Sequence, residues 1–434
     1  MDMANIGIDK YDVYIANQAR GKFDEIQRMA IAYVNKQPIA LEGDPGVGKN
    51  QAIKVISKAL GKNTHRIRCT EEMMARDIIG GEKLTVEKSE MGDIATKSQF
   101  SPGKLLLGMK NNEIVILDEV NQLLPTVQKA LNSALEDNGK TLSGLETAFD
   151  VKAGDDFGLF LTYNPNTGIS NSDLESAVRD RCKIFYFENL PTELKTRIAL
   201  IQSGKFTLDD FLTDNSMGVR GLQKPNGNLG FVEYKNGTWL EFGTENPAKR
   251  KDFIQPYLFF NREKAQDLHF NNEMKDEIYQ VGKSIVKAVD RVSNFSTEGT
   301  SKIGEELGLD LDNLTRLNIN PSSPRIINKI VNDYVLLRGQ GYSTKDSSSE
   351  IVHSIIDFLI PSNERNLKIG ENITLPSLVE MTCASNGLVT DTSMYKIKEI
   401  AYAAAKEGII ESLTKSGYTQ NIATKIVNDF MQQK

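Results

Sequence analysis

Cysteine, histidine and tryptophan are scarce in this sequence: its 434 residues include three, three and one of them. The cysteines Cys69, Cys182 and Cys383 lie far apart and share no CxxC spacing. This spacing argues against a disulfide framework or a zinc site and favours buried free thiols. The histidines are not paired at ligand spacing, so a histidine-based metal site is not expected either.

Long apolar runs and an excess of positive charge are also missing. No segment approaches the roughly 18 apolar residues of a membrane helix, and residues 1–16 lack the basic start and apolar run of a signal peptide. The formal net charge is −6, so the chain as a whole is not drawn to nucleic acid or anionic lipid. These absences predict a cytoplasmic globular protein without membrane contact, long enough for two or three domains.

Apolar runs of strand length alternate with helical patterns through the first 190 residues. Residues 23–34 and 49–60 carry apolar side chains at helical spacing. Runs typical of buried strands lie at 38–41, 65–69, 113–117, 157–161 and 183–187. This alternation predicts an α/β fold with a parallel sheet and a site along the carboxyl edge of its strands.

Residues 203–256 differ in composition and are rich in Gly, Asn, Asp and Lys. Within them the dipeptide Asn236-Gly237, typical of a type I′ turn, separates two strand-like runs and predicts a β-hairpin. The hairpin would bring two aromatic pairs face to face, Tyr234 with Trp239 and Phe231 with Phe242. Two interpretations stay open: a stable surface hairpin held by its aromatics, or an insertion that docks a partner.

The rest of the chain has helical patterns. Two apolar stripes recur at helical spacing: Met274, Ile278, Val281, Ile285 and Val289, and then Ile326, Ile330, Tyr334 and Leu337. The polar residues 340–350 predict a loop. A further helical module is predicted beyond residue 361, including 394–413 and 421–431.

The strongest chemical signal is a glycine-rich sequence between a predicted strand and a predicted helix, Gly43-Asp44-Pro45-Gly46-Val47-Gly48-Lys49-Asn50-Gln51. A polyphosphate needs inward-facing backbone N–H groups, a lysine near its outer phosphates and a helix N-terminus, and all three are present. Asn50 departs from the pattern, which has Ser or Thr there to place a hydroxyl on Mg²⁺. An amide oxygen can still coordinate the metal, so altered metal affinity is expected.

An acidic pair, Asp118-Glu119, follows the predicted strand 113–117. Such a pair alone is often a plain helix start. Coupled to a phosphate-binding loop, it has the chemistry of a nucleotide hydrolase: Asp118 would anchor Mg²⁺, and Glu119 would polarise the attacking water.

Blocks along the chain resemble those of MoxR-type AAA+ ATPases, a clade that includes dynein, midasin, magnesium chelatase and McrB. They are RDIIG at 76–80, VILDEVNQ at 115–122, VQKALNSALED at 127–137, LTYNP at 161–165, LESAVRDRC at 174–182 and SSPR at 322–325. Cys182 replaces the aromatic residue that usually ends the fifth block. The likeness covers roughly residues 20–200 and 265–345.

The resemblance implies roles for four further residues. Asn164 would position the lytic water, and Arg325 on a helical lid would contact the γ-phosphate. Arg181, with Arg179 as its rival, would reach a neighbouring subunit's nucleotide as an arginine finger, which requires an oligomer. Solvated or structural ion pairs remain the alternative for both arginines.

The resemblance also implies an architecture. An αβα nucleotide-binding core is expected at 1–190, a helical lid with the inserted hairpin (203–256) at 191–345, and a C-terminal helical extension at 346–434. Residues 82–103 and 140–157 fall where this clade inserts hairpins that contact substrate.

The implied function is a ring, expected to be a hexamer, that uses ATP and Mg²⁺ to remodel or assemble a protein client. A von Willebrand A-domain protein is a possible partner. Two alternatives stay open: a nucleic-acid-stimulated motor, and a scaffold that uses nucleotide only to assemble.

Overall fold

The computed structural model contains two compact units. One comprises Met1–Leu190 and Thr207–Leu268, and the other Pro191–Phe206 and His269–Lys434. The residues described within these bounds are 13–20, 22–88, 94–136, 141–143, 150–164, 174–207, 210, 212, 216–223, 229–235, 238–241, 247–248, 256–262, 272–309, 311–312, 314, 317–370, 373–388, 410, 414, 420 and 424.

The first unit combines helices with two large sheets. Its strands are β1 (Ile15–Ala16), β2 (Ile39–Gly43), β3 (Thr64–Arg68), β4 (Gly80–Lys88), β5 (Ile94–Pro102), β6 (Ile114–Asp118), β7 (Thr141–Ser143), β8 (Asp150–Lys152), β9 (Gly158–Tyr163), β10 (Lys183–Phe187), β11 (Met217–Gln223), β12 (Leu229–Lys235), β13 (Thr238–Glu241), β14 (Pro247–Ala248) and β15 (Pro256–Phe260). Its helices are α1 (Glu25–Val34), α2 (Lys49–Ala59), α3 (Ala75–Ile79), α4 (Lys104–Asn111), α5 (Pro125–Ala130), α6 (Asn132–Leu135), α7 (Ser176–Arg179) and a 3₁₀ turn at Val120–Gln122.

A five-stranded parallel sheet with strand order β10-β2-β9-β6-β3 forms the centre of this unit. Alternate residues of β6 enter different cores: Val115 and Leu117 join a cluster with α3 to α7, whereas Ile114 and Ile116 join one with α1 and α2. A sheet covered by helices on both faces is an αβα sandwich. The predicted fold class and its strands are therefore confirmed, to within one or two residues at each strand end.

Strands β11 to β14 of the inserted segment join β1 and β15 in a second sheet of six strands, β1-β15-β11-β12-β13-β14. Tyr234 and Trp239 are register partners, with ring centroids 5.4 Å apart, as predicted; the predicted Phe231–Phe242 contact and the turn lie outside the described residues. Trp239 is fully buried, which agrees with a hairpin held by its aromatics; the interpretation as a partner-docking insertion stays a prediction.

This sheet also changes the expected division of the chain, because the prediction assigned residues 203–256 to the lid. The structure places Thr207–Leu268 in the first unit. The physical reason is strand pairing: β15 pairs in parallel with β1 near the N-terminus, and Leu222 and Tyr257 join the core that contains α1 and α2.

Two hairpins occur where sequence predicted them. Strands β4 and β5 pair along their whole length, from Gly80 with Pro102 to Lys88 with Ile94. Strands β7 and β8 pair over three residues each. Their proposed contact with a substrate stays a prediction.

The second unit is mainly helical. Its elements are α8 (Thr192–Ser203), α9 (Glu273–Ser293), α10 (Phe295–Leu307), α11 (Pro324–Gly339), α12 (Thr344–Leu359), a 3₁₀ turn at Ser362–Glu364, β16 (Lys368–Gly370), β17 (Ile373–Thr374) and α13 (Leu375–Ser385). Both predicted stripes lie on helices, α9 and α11, that pack against α8 and each other. The expected helices at 394–413 and 421–431 lie outside the described residues, apart from isolated positions.

The predicted loop at 340–350 is wrong, since α12 begins within it. Ser343 caps that helix by accepting a hydrogen bond from the Asp346 N–H at 3.1 Å. The run of serines that suggested a loop is partly internal, because Ser347 and Ser348 are buried. The expected boundary between lid and extension at 345–346 therefore falls inside a helix.

All three cysteines are free thiols. Cys69 and Cys383 are buried as expected, and Cys182 is only half-buried. Among the residues with described structure, no helix combines the length and apolar character needed to cross a membrane.

Candidate functional site

The glycine-rich loop joins β2 to α2 at the carboxyl edge of the parallel sheet. Gly46 and Gly48 have φ values of 88° and 101°, which side chains with a Cβ rarely adopt. The turn therefore requires glycine at these positions. It ends at the N-terminus of α2, whose first turn contains Lys49, Asn50 and Gln51, so backbone N–H groups and the positive end of the helix dipole lie at the loop.

Lys49 links the loop to the neighbouring strand. Its Nζ donates to the carbonyl oxygens of Gly43 and Asp44, the latter at 3.0 Å, and to Asn164 Oδ1 at 2.9 Å. Asn164 directly follows β9, which lies between β2 and β6. The structure thus brings together the predicted phosphate-binding lysine and the predicted water-positioning asparagine.

Asp118, the last residue of β6, accepts four hydrogen bonds. Oδ1 accepts from Thr162 Oγ1 at 2.6 Å and from Asn50 Nδ2 at 3.2 Å. Oδ2 accepts from Nε of Arg66 at 3.0 Å and from a terminal nitrogen of the same guanidinium. Burial raises the pKa of this carboxyl, but the hydrogen bonds from Thr162, Arg66 and Asn50 outweigh it and hold the pKa below its usual range. Asp118 is therefore ionised at neutral pH.

Glu119 adopts left-handed backbone angles, φ 60° and ψ 44°, which are uncommon outside glycine and often mark functional positions. Its N–H donates to Thr162 Oγ1 at 3.2 Å. Its carboxylate accepts from Gln122 Nε2 at 3.0 Å and lies 3.8 Å from Nε of Arg68. The side chain is 29% exposed, so the carboxylate is within reach of water.

The hydrogen bonds of Asn50 indicate whether these residues fit a divalent cation. While its Nδ2 donates to Asp118, its Oδ1 is buried without a hydrogen-bond partner in the described part of the chain. A buried amide oxygen without a donor is costly and is a suitable ligand for a hard cation. Next to an ionised aspartate, this oxygen makes the site compatible with Mg²⁺ despite the missing hydroxyl.

Three residues at this site were missed in the sequence: Thr162, Arg66 and Arg68. Thr162 lay in a recognised block but had no assigned role. Arg66 and Arg68 occupy alternate positions of β3, and Arg68 is the register partner of Asp118. The sequence feature that could have identified these two arginines is their spacing, i and i+2 in a strand of a parallel sheet, where apolar residues are usual.

Arg181 and Arg179, which lie in the same unit as this network, have described contacts outside it. Arg181 donates to the Ala177 carbonyl at 2.8 Å. Arg179 donates to the Tyr186 hydroxyl at 3.2 Å and lies 3.8 Å from the Glu42 carboxylate. Arg325 is exposed in the first turn of α11 in the second unit. Their proposed roles stay predictions.

A phosphate-binding loop after β2, an acidic pair at the end of β6 and a β10-β2-β9-β6-β3 sheet together define a P-loop nucleotide-binding protein. Comparison with known proteins narrows the class, because residues 38–182 match the family described as AAA domain (dynein-related subfamily).

Several known proteins are similar to part of this chain. CbbQ of Hydrogenophilus thermoluteolus is 28% identical over 42% of this chain and 64% of its own length. Midasin of Giardia intestinalis is 33% identical over 32% of this chain and 3% of its own length. MoxR of Methylorubrum extorquens is 24% identical over 47% of this chain and 56% of its own length.

The match covers less than two thirds of each of these relatives. Within the matched part of the chain, the family model and these relatives agree. Residues 38–182 match the AAA domain of the dynein-related subfamily, and part of the chain is similar to the MoxR-like proteins CbbQ, MoxR and NorQ.

Proposed function

We propose that this protein is a ring-forming AAA+ ATPase that couples ATP binding and hydrolysis to the remodelling or assembly of a protein client. One observation carries the proposal: the nucleotide-binding lysine, the acidic pair and Asn164 form one hydrogen-bonded site within a single unit. Lys49 contacts Asn164, its neighbour Asn50 donates to Asp118, and Thr162 connects the Asp118 side chain to the Glu119 backbone. A loop that only bound phosphate would not need Asp118, Glu119 or Asn164.

The residues would divide the chemistry as follows. The N–H groups of residues 43–44 and 46–49 and the Lys49 ammonium would hold the phosphates. Asp118 and the Asn50 amide oxygen would hold Mg²⁺, which when bound neutralises phosphate charge. Glu119 would accept the proton of the attacking water, and Asn164 would orient that water.

The oligomer and its partners are further parts of the proposal. Arg181 would be supplied in trans to a neighbour's nucleotide, with Arg179 as the alternative, in a cytoplasmic homo-oligomer of six subunits. The Arg179 side chain is half-exposed, which is compatible with an arginine finger and with a solvated ion pair. Resemblance to MoxR-type proteins motivates a protein client and a von Willebrand A-domain partner.

The test compares Glu119→Gln with the wild type. Loss of a general base is expected to lower the ATPase rate by about 10²- to 10⁴-fold while nucleotide binding persists. Glu113→Gln is a matched control, because Glu113 precedes the same strand at its opposite end. The mass of the Glu119→Gln complex in ATP, and the proteins that co-purify with it, would report the ring and its client.

Other outcomes would favour other functions. Equal and negligible rates for wild type and Glu119→Gln would refute hydrolysis and favour a nucleotide-dependent scaffold, for which Asn50 is the relevant observation. A rate stimulated by DNA or RNA would favour a nucleic-acid motor.

A further inference from the structure

The carboxylate of Asp118 is saturated by protein donors. Thr162 and Asn50 donate to Oδ1, and two nitrogens of the Arg66 guanidinium donate to Oδ2. A carboxylate offers about four lone-pair sites. A cation that binds Asp118 therefore has to displace at least one of these donors.

The donors differ in how easily each can leave. Thr162 is buried, at 1% exposure, and also accepts a hydrogen bond from the Glu119 N–H. Asn50 lies in the first turn of α2, beside the lysine that the phosphate-binding loop holds. The Arg66 side chain is 56% exposed, whereas that of Asp118 is 8% exposed. Water can hydrate a released guanidinium at this position, so Arg66 is the donor whose release costs least.

We propose that Arg66 is the internal counter-ion of Asp118 and the donor that Mg²⁺ displaces, so that Arg66 lowers the affinity of the site for the metal. The inference rests on the proposed function only in assigning Asp118 to the metal. Arg66 is a positioning residue: it acts through Asp118 and is not assigned a contact with nucleotide.

The physical reason is competition combined with repulsion. A guanidinium and a divalent cation both seek Oδ2, and a unit charge about 5 Å from a divalent cation in water changes its affinity by roughly tenfold. A purely structural role for Arg66 predicts the opposite sign. If the arginine held Asp118 in the orientation that the metal requires, its removal would weaken metal binding.

The experiment measures Mn²⁺ binding by electron paramagnetic resonance to the full chain saturated with a non-hydrolysable ATP analogue. Arg66→Gln is expected to bind Mn²⁺ about tenfold more tightly than the wild type. Arg66→Lys keeps the charge and is expected to stay within about twofold of the wild type. Lys62→Gln is the control, because Lys62 precedes the same strand at its other end and pairs with Asp156.

A second measurement separates this effect from a general change in the fold. Binding of the same analogue without divalent cations is not expected to tighten in Arg66→Gln, because loss of a positive charge cannot favour a free polyphosphate. Mn²⁺ affinity in Arg66→Gln that equals or falls below the wild-type value would overturn the inference, as would equal tightening in Arg66→Lys. Since no hydrolysis is needed, these results are independent of whether Glu119→Gln changes the ATPase rate.

Discussion

The ion pair between Asp24 and Arg220 joins helix α1 to the six-stranded sheet across 196 residues of sequence. Arg220 donates to Asp24 Oδ2 at 3.0 Å, and the Tyr257 hydroxyl donates to the same oxygen at 3.0 Å. Asp24 is also the N-cap of α1, accepting from the Gln27 N–H at 2.9 Å. The side chains of Asp24 and Arg220 are 0% and 9% exposed, so breaking the pair leaves a charge with little access to water.

The cost follows from that burial. Removing one partner of a buried pair typically costs about 3–5 kcal/mol, because the remaining charge is uncompensated. Arg220→Met should therefore destabilise the first unit by about this amount. Asp24→Asn should cost a similar amount. The cost would come only from the unpaired charge of Arg220, because asparagine is an equally good helix cap. The double variant should lose less than the sum of the two, by about 1–3 kcal/mol.

The only tryptophan of the chain, Trp239, supplies the assay because it is fully buried in the same sheet. Urea denaturation followed by its fluorescence reports this sheet rather than the second unit. Asp155→Asn, which breaks the exposed pair with Lys36, should leave the midpoint unchanged. Single variants that each cost under about 1 kcal/mol and add without coupling would refute the reasoning.

Two further predictions concern ionisation. Hydrogen bonds from Arg338, acting against burial, hold the pKa of Glu277 below its usual value of 4.5. The stability gained is present at neutral pH and is lost as pH falls below that value. Glu277→Gln should therefore have a lower melting temperature than the wild type at pH 7 but not in acid. A difference in melting temperature that does not change with pH would contradict this. Burial, reinforced by the charges of Asp118 and Glu119, raises the pKa of the Cys69 thiol to about 12. Iodoacetamide at neutral pH should alkylate the half-buried Cys182 well before Cys69, as mass spectrometry of peptides would show; equal rates would contradict it.

The parts of the fold that could be predicted are those encoded locally. An apolar run followed by a glycine-rich turn and a helical stripe specifies β2, the loop and α2 from about twenty adjacent residues. The same holds for β6 with Asp118-Glu119 and for β9 with Asn164. Because parallel strands place their carboxyl ends at one edge, these three segments predict one site without any knowledge of their contacts.

The parts that could not be predicted depend on contacts between distant segments. Arg66 meets Asp118 only because β3 pairs with β6 in a particular register, and Arg220 meets Asp24 only because the inserted sheet extends from β1. In α12, Ser347 and Ser348 look like loop residues until the helix buries them. Composition alone does not indicate these contacts, because the cost of burying a polar residue depends on the hydrogen-bond partners around it.

The proposed metal site includes a residue that was noticed in the sequence, Asn50, and one that was not, Arg66, and both donate to the Asp118 carboxylate. Asn50 supplies a neutral amide where a hydroxyl is usual, and its Nδ2 already binds Asp118. Arg66 supplies a full positive charge to the same carboxylate. In the proposed function each would occupy a lone pair of Asp118 that Mg²⁺ uses, so the phosphates of the nucleotide would supply most of the affinity for the metal. Under this proposal the metal is expected to bind together with the nucleotide, because Arg66 and Asn50 would compete for Asp118 until the phosphates are present.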